Sequence, residues 1–155
     1  IDLIRAGGGD DEVYGGDGDD RMAGARGADT LSGGDGDDLL YGGPQDDILT
    51  GGKGADQFLF KLGHASGRPV PDAGDDVVTD FSLEEGDTLR IAGTQHMTAN
   101  FEYGDSDNDG LDDYTLISFT LNPRENGEEI VLPEGIEIGT ITLEGTLLTA
   151  DDLGL

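Results

Sequence analysis

The chain has 155 residues, with eight Lys and Arg against 35 Asp and Glu, a net charge of −27, 28 glycines and no cysteine. A surface this acidic repels DNA, RNA and anionic lipid at close range, which excludes nucleic acid and membrane insertion and leaves cations as the natural counterpart. Disulfides are excluded, and no apolar run approaches the roughly 20 residues needed to span a bilayer.

With only 34% hydrophobic residues, such a composition would ordinarily indicate disorder. A strict period argues otherwise. Set in rows of nine from Ala6, the sequence reads "AGGGDDEVY", "GGDGDDRMA", "GARGADTLS", "GGDGDDLLY", "GGPQDDILT" and "GGKGADQFL". The sixth place is always Asp: Asp11, Asp20, Asp29, Asp38, Asp47 and Asp56. The eighth is always apolar: Val13, Met22, Leu31, Leu40, Leu49 and Phe58. Residues 1–5 fit the tail of one more row, with Asp2 in the sixth place and Ile4 in the eighth. The chain thus starts with Ile inside a repeat, and we expect it to be a piece of a larger protein.

Each row divides into a Gly/Asp part and a three-residue part with an apolar middle. Glycine takes positive φ at little cost, which permits tight turns with inward carbonyls. The last three residues suit a short strand whose middle side chain faces inward. Two rows then complete one coil, and three coils make a roll only about 14 Å long at ~4.8 Å per strand. One apolar side chain per row is too thin a core to hold such a roll alone. Calcium takes six to eight oxygens in a tolerant geometry, which carboxylates and glycine carbonyls supply together, whereas zinc and copper favour Cys or His, which the rows lack. Residues 1–60 hold 13 Asp and one Glu against Arg5, Arg21, Arg26 and Lys53, a net −10 that about five divalent ions would cancel. Without ions the aspartates repel one another across neighbouring turns, so folding is expected to depend on calcium.

These rows resemble the "GGxGxDxUx" nonapeptide of RTX (hemolysin-type) calcium-binding proteins. The resemblance implies a right-handed parallel β-roll with Ca2+ held between successive turns on the same edge. Sixth-place aspartates then pair two rows apart: Asp2 with Asp20, Asp20 with Asp38, Asp38 with Asp56, Asp11 with Asp29, and Asp29 with Asp47. The candidate ligands are those seven aspartates with Gly7, Gly9, Gly16, Gly18, Gly27, Gly34, Gly36, Gly43, Gly52 and Gly54. Three rows depart from the pattern. Pro44 and Gln45 alter one turn, while Ala25 and Ala6 replace glycines and read as mild changes.

After Phe60 the glycine period stops. Strand-like alternation runs through "DDVVTDFSLEEGDTLRIAG" (75–93), "TLISFTL" (115–121), "EEIVL" (128–132) and "IEIGTITLEG" (136–145), and "TADDL" with Thr149 as cap suits one short helical turn. "DQFLF", "DVVTDF", "GDTL" and "LTADDL" resemble the region after the repeats in serralysin-type metalloproteases and in R-modules of mannuronan epimerases. The expected organisation is all-β: a calcium-stacked β-roll over 1–60 and a β-rich capping, secretion-associated region over 61–155. A cap makes physical sense, since a solenoid end exposes strand edges and core.

"GDSDNDGLDD" places Asp105, Asp107 and Asp109 before Gly110, as in the start of an EF-hand loop, but Leu116 stands where that loop needs Glu. It is either a shortened calcium loop or an acidic hairpin tip joining "FEY" to "YTLISF". His64 and His96 are the only histidines, and no His-Glu-x-x-His motif exists to hold catalytic zinc. "GGKG" lacks the Ser or Thr a P-loop needs, and no Cys or Ser-His pairing suggests a nucleophile. No catalytic residue is therefore expected. The resemblance implies a noncatalytic, secreted, extracellular module. Its partners would be calcium ions, an upstream domain of the parent protein and a type I secretion machinery. The alternative is an accessory that binds an alginate-like polysaccharide; Tyr14, Tyr41, Tyr103 and Tyr114 either stack on sugars or, the reading favoured here, pack on strands. Basic residues for an acidic sugar stand only singly in the sequence.

Overall fold

The computed structural model describes residues 1–61, 64–65, 68–69, 74–92, 97–104, 114–121 and 137–144. Every regular element among them is a strand: β1 (Leu3–Gly8), β2 (Glu12–Asp17), β3 (Arg21–Arg26), β4 (Thr30–Asp35), β5 (Leu39–Tyr41), β6 (Ile48–Lys53), β7 (Gln57–Lys61), β8 (His64–Ala65), β9 (Arg68–Pro69), β10 (Gly74–Val78), β11 (Thr88–Ala92), β12 (Met97–Gly104), β13 (Tyr114–Leu121) and β14 (Glu137–Glu144).

Successive rows alternate between two sheets. One has the order β1-β3-β5-β7-β11, the other β12-β13-β14-β10-β6-β4-β2. Pairing within the roll is parallel and steps by two rows: Leu3 faces Arg21, Arg21 faces Leu39, and Leu39 faces Gln57. The other sheet repeats this with Val13 beside Leu31 and Leu31 beside Leu49. This is the parallel β-roll read from the rows.

Because neighbouring residues of a strand point to opposite faces, only the eighth-place side chain enters the space between the sheets. Met22, Leu31, Leu40, Leu49 and Phe58 are buried there. Ile4, at the open end, is only partly buried.

Both sheets continue past residue 60. β10 adds to β6 with Val78 beside Leu49, and β11 adds to β7 with Leu89 beside Phe58. Val78 and Leu89 thereby take the interior place of two further rungs, although the spacing has stretched beyond that of the repeats. Phe81 is buried against Phe58, ring centroids 6.0 Å apart. β14 then runs parallel to β10, and β13 and β12 add antiparallel, bringing Ile117 opposite Ile141 in the core.

The strands expected at 115–121 and 136–145 appear as β13 and β14. "EEIVL" and "TADDL" lie outside the described residues. No helix among the described residues is long and apolar enough to cross a membrane.

Candidate metal centre

The sixth-place aspartates line the inner edges of the turns in two ladders. On one, the Asp2 amide donates to Asp20 Oδ1, Asp20 to Asp38 and Asp38 to Asp56. On the other, Asp11 donates to Asp29 and Asp29 to Asp47. These bonds measure 2.5–2.9 Å and join residues 18 apart. Asp20, Asp29, Asp38, Asp47 and Asp56 are at most 2% exposed.

The carboxylates of Asp20, Asp29, Asp38, Asp47 and Asp56 thus each use one oxygen to hold the neighbouring rung. The other is left over: Oδ2 of these five, and of Asp11, is buried with no hydrogen-bond partner. A buried acceptor without a partner costs about 1–3 kcal/mol, and more when charged. Six such atoms in register are not tolerable as they stand, and a cation satisfies them. Among the described residues no three His, Cys, Asp or Glu side chains converge on one point, so an ion here would draw on one or two carboxylates and on backbone carbonyls. That donor set fits calcium and not zinc.

Backbone geometry supports the glycine places. Gly7, Gly16, Gly34, Gly43 and Gly52 in the second place, and Gly9, Gly18, Gly27, Gly36 and Gly54 in the fourth, all have positive φ between +105° and +143°. The turns also stack backbone on backbone, so that a Cβ on Gly34 would fall on the Gly16 carbonyl oxygen. Ala25 and Gln45 hold the same places at φ +91° and +82°. Ala25 is therefore not the mild change its size suggested, since an L-residue in this region costs about 1–3 kcal/mol.

A second, outer ladder uses the fifth place. Asp10 accepts from the Ala28 amide, Asp19 from Asp37, Asp37 from Ala55 and Asp46 from Asp75, at 2.9–3.2 Å.

The inner ladders do not stop with the nonapeptides. The Asp47 amide donates to Asp76 Oδ1 and the Asp56 amide to Asp87 Oδ1, both at 2.9 Å, across 29 and 31 residues. Asp76 and Asp87 are 2% and 5% exposed. Sequence reasoning missed both because the period had broken. The signal was present in "GDDVV", where Gly74, Asp76 and Val78 repeat the fourth, sixth and eighth places, and Gly74 keeps the positive φ at +75°. Asp80 also joins the edge, accepting from the Gly51 and Gly52 amides at 2.9 and 2.8 Å.

Burial governs the acidity of these groups. Desolvation pushes Asp47 and Asp56 up to about 6 and Asp76 up to about 8, and neighbouring carboxylates add to the rise while the accepted amide hydrogen bond opposes it. Asp38 and Asp87 are raised for the same leading reason. The stacked carboxyls thus resist carrying charge together in a low-dielectric edge. Asp105, Asp107 and Asp109 lie outside the described residues, as does His96; β12 and β13 pair antiparallel on either side, with Gly104 facing Tyr114.

The comparisons agree with this geometry. Residues 1–31 and 24–58 match the RTX calcium-binding nonapeptide repeat model, which comprises four copies. The chain is similar to two solved solution structures from the Azotobacter vinelandii mannuronan C5-epimerase. With the AlgE6R2 subunit it shares 27% identity at a TM-score of 0.60, covering 97% of this chain and 89% of that one. With the AlgE6R3 subunit it shares 28% identity at a TM-score of 0.55, covering 93% and 77%. Among curated proteins none matches this sequence. Over residues 1–58 the chain thus matches the RTX calcium-binding nonapeptide repeat, and repeats of that kind imply Ca2+ as the ion.

Proposed function

We propose that this chain is a noncatalytic calcium-responsive folding module of a larger secreted bacterial protein. In this reading, residues 1–60 are the calcium-binding roll and 61–155 cap it and accompany secretion. The observation that carries it is the set of six buried, unpartnered Oδ2 atoms, three along each turn edge. The proposed ligands are Asp2, Asp11, Asp20, Asp29, Asp38, Asp47 and Asp56 with the second- and fourth-place glycine carbonyls, extended by Asp76 and Asp87. Extracellular calcium modules bind at about 0.1–1 mM, so their sites are empty in the cytosol and filled outside. The chain would pass a type I exporter unfolded and fold on arrival, stabilising its parent protein. Calorimetric titration of the 155-residue chain tests this. Dissociation constants near 0.1–1 mM are expected, and sites filled at cytosolic, submicromolar calcium would contradict folding timed by export.

A second reading, binding of an acidic polysaccharide, gains from one feature of the fold. The basic residues that stand singly in sequence are gathered by the rungs. A groove of about 560 Å3 on the β1-β3-β5-β7 sheet is lined by Arg5, Arg21, Arg26 and Lys61 together with Leu39 and Tyr41. Lys61 Nζ sits 4.3 Å from the Tyr41 ring centroid. In a chain of net charge −27, a basic and aromatic face of this kind suits carboxylated sugars. Oligouronate titration in calcium should shift the amides of β1, β3 and β5; no heat and no shift would dismiss the reading.

A further inference from the structure

We infer that Asp80 is a positioning residue for the last regular calcium turn, Gly51–Asp56, its carboxylate standing in for the backbone of a glycine turn that the chain no longer supplies. The inference rests on the calcium reading above.

Within the repeats, the turn amides are held by the next rung's backbone, as where the Ala25 amide donates to the Gly42 carbonyl at 2.9 Å. In four rows the first place has no room for a side chain, because a Cβ on Gly24, Gly33, Gly42 or Gly51 would fall on Oδ2 of its own row's aspartate. Residue 80 follows β10 in that same first place, but there a side chain is present. It folds back over β6 and receives both the Gly51 and Gly52 amides.

Its neighbours hold it there. The Thr79 amide donates to the Leu49 carbonyl at 3.0 Å, and the Thr79 and Thr50 hydroxyls meet at 2.8 Å. Phe81 is anchored in the core on Phe58. Two amides pinned by one half-buried carboxylate fix the peptide planes at the entrance of the turn that ends in Asp56. Asp80 therefore acts on this end of the roll by orienting the turn amides. Groups that orient ligands from behind typically contribute 10- to 100-fold in metal affinity.

The test compares Asp80→Asn with Thr79→Val in the full chain, by calcium calorimetry and amide NMR. Asp80→Asn keeps an acceptor but loses the charge and one of the two amide bonds, whereas Thr79→Val keeps the backbone bond to Leu49 that anchors the segment and loses only the hydroxyl, with its contacts to Thr50 Oγ1 and the Leu49 carbonyl. The expected result for Asp80→Asn is one calcium site weakened 10- to 100-fold, the other sites unchanged, and Gly51 and Gly52 amide shifts displaced. Thr79→Val should melt lower with all affinities intact. Unchanged affinities in Asp80→Asn, or a melting loss in both variants with no selective loss of one site, would overturn the inference. A wild-type chain that binds no calcium would overturn the calcium reading as well, and so separates the two failures.

Discussion

The two oxygens of a sixth-place aspartate have different roles. In Asp38, Oδ1 accepts the Asp20 amide at 2.7 Å, while Oδ2 is buried without a partner. Asp38→Asn preserves the first contact and places an NH2 donor or a neutral oxygen at the second. We predict calcium binding weaker by at least about tenfold, the equivalent of the roughly 1.5–3 kcal/mol of one charge-assisted contact, read by calorimetry. The same burial sets a pH dependence. The folded values of Asp47 and Asp56 are raised to about 6 and that of Asp76 to about 8, above the ordinary carboxylate value near 4. A group raised on folding stabilises the fold below its unfolded value, and that contribution is lost as pH rises through the folded value. In chelator, the roll should therefore be more stable at pH 4.5 than at 7.5, with the loss falling between about pH 4 and 8. Circular dichroism in chelator at the two pH values checks this, and a metal-free chain that gains β-structure on going to pH 7.5 would contradict it.

At the scale of the element, each rung is one turn and one buried side chain, and both are open to test. Leu40 is fully buried, so Leu40→Ala should cost about 2–5 kcal/mol in calcium-saturated protein, measured by denaturant midpoint. Gln45 holds φ +82° where other rows have glycine. Gln45→Gly should stabilise by about 1 kcal/mol, because relief of left-handed strain of about 1–3 kcal/mol outweighs the added chain entropy of glycine, about 0.5–1 kcal/mol. The rungs from Val13 to Phe58 were legible in the sequence because Asp and the apolar residue recur at fixed spacing, which fixes both register and inward face. Val78 and Leu89 hold the same interior place but were not recognised as rungs. They stand 29 and 31 residues after their partners Leu49 and Phe58, where the repeats step by 18, and the turn glycines that mark a row are reduced to Gly74 and Gly86. Asp80 was illegible for a different reason: its role depends on a side chain folding back across a neighbouring strand, which no local pattern encodes.

Across the whole molecule, an acidic roll with a core one side chain thick is held by what lies between its turns. The charge of residues 1–60 is −10, and the buried carboxylates are stacked in register. Both act against a stable fold at neutral pH, and bound cations would offset them. The basic face was hidden in the sequence because Arg5, Arg21, Arg26 and Lys61 are scattered along the chain and are brought together only by the rung spacing. The most direct test of the central claim is circular dichroism of the 155-residue chain at neutral pH, in excess chelator and then through a calcium titration to about 10 mM, above the range at which extracellular calcium modules fill. A largely unfolded spectrum is expected in chelator, with a cooperative gain of β-structure near 0.1–1 mM calcium. An identical β-rich spectrum in chelator and in calcium would contradict it.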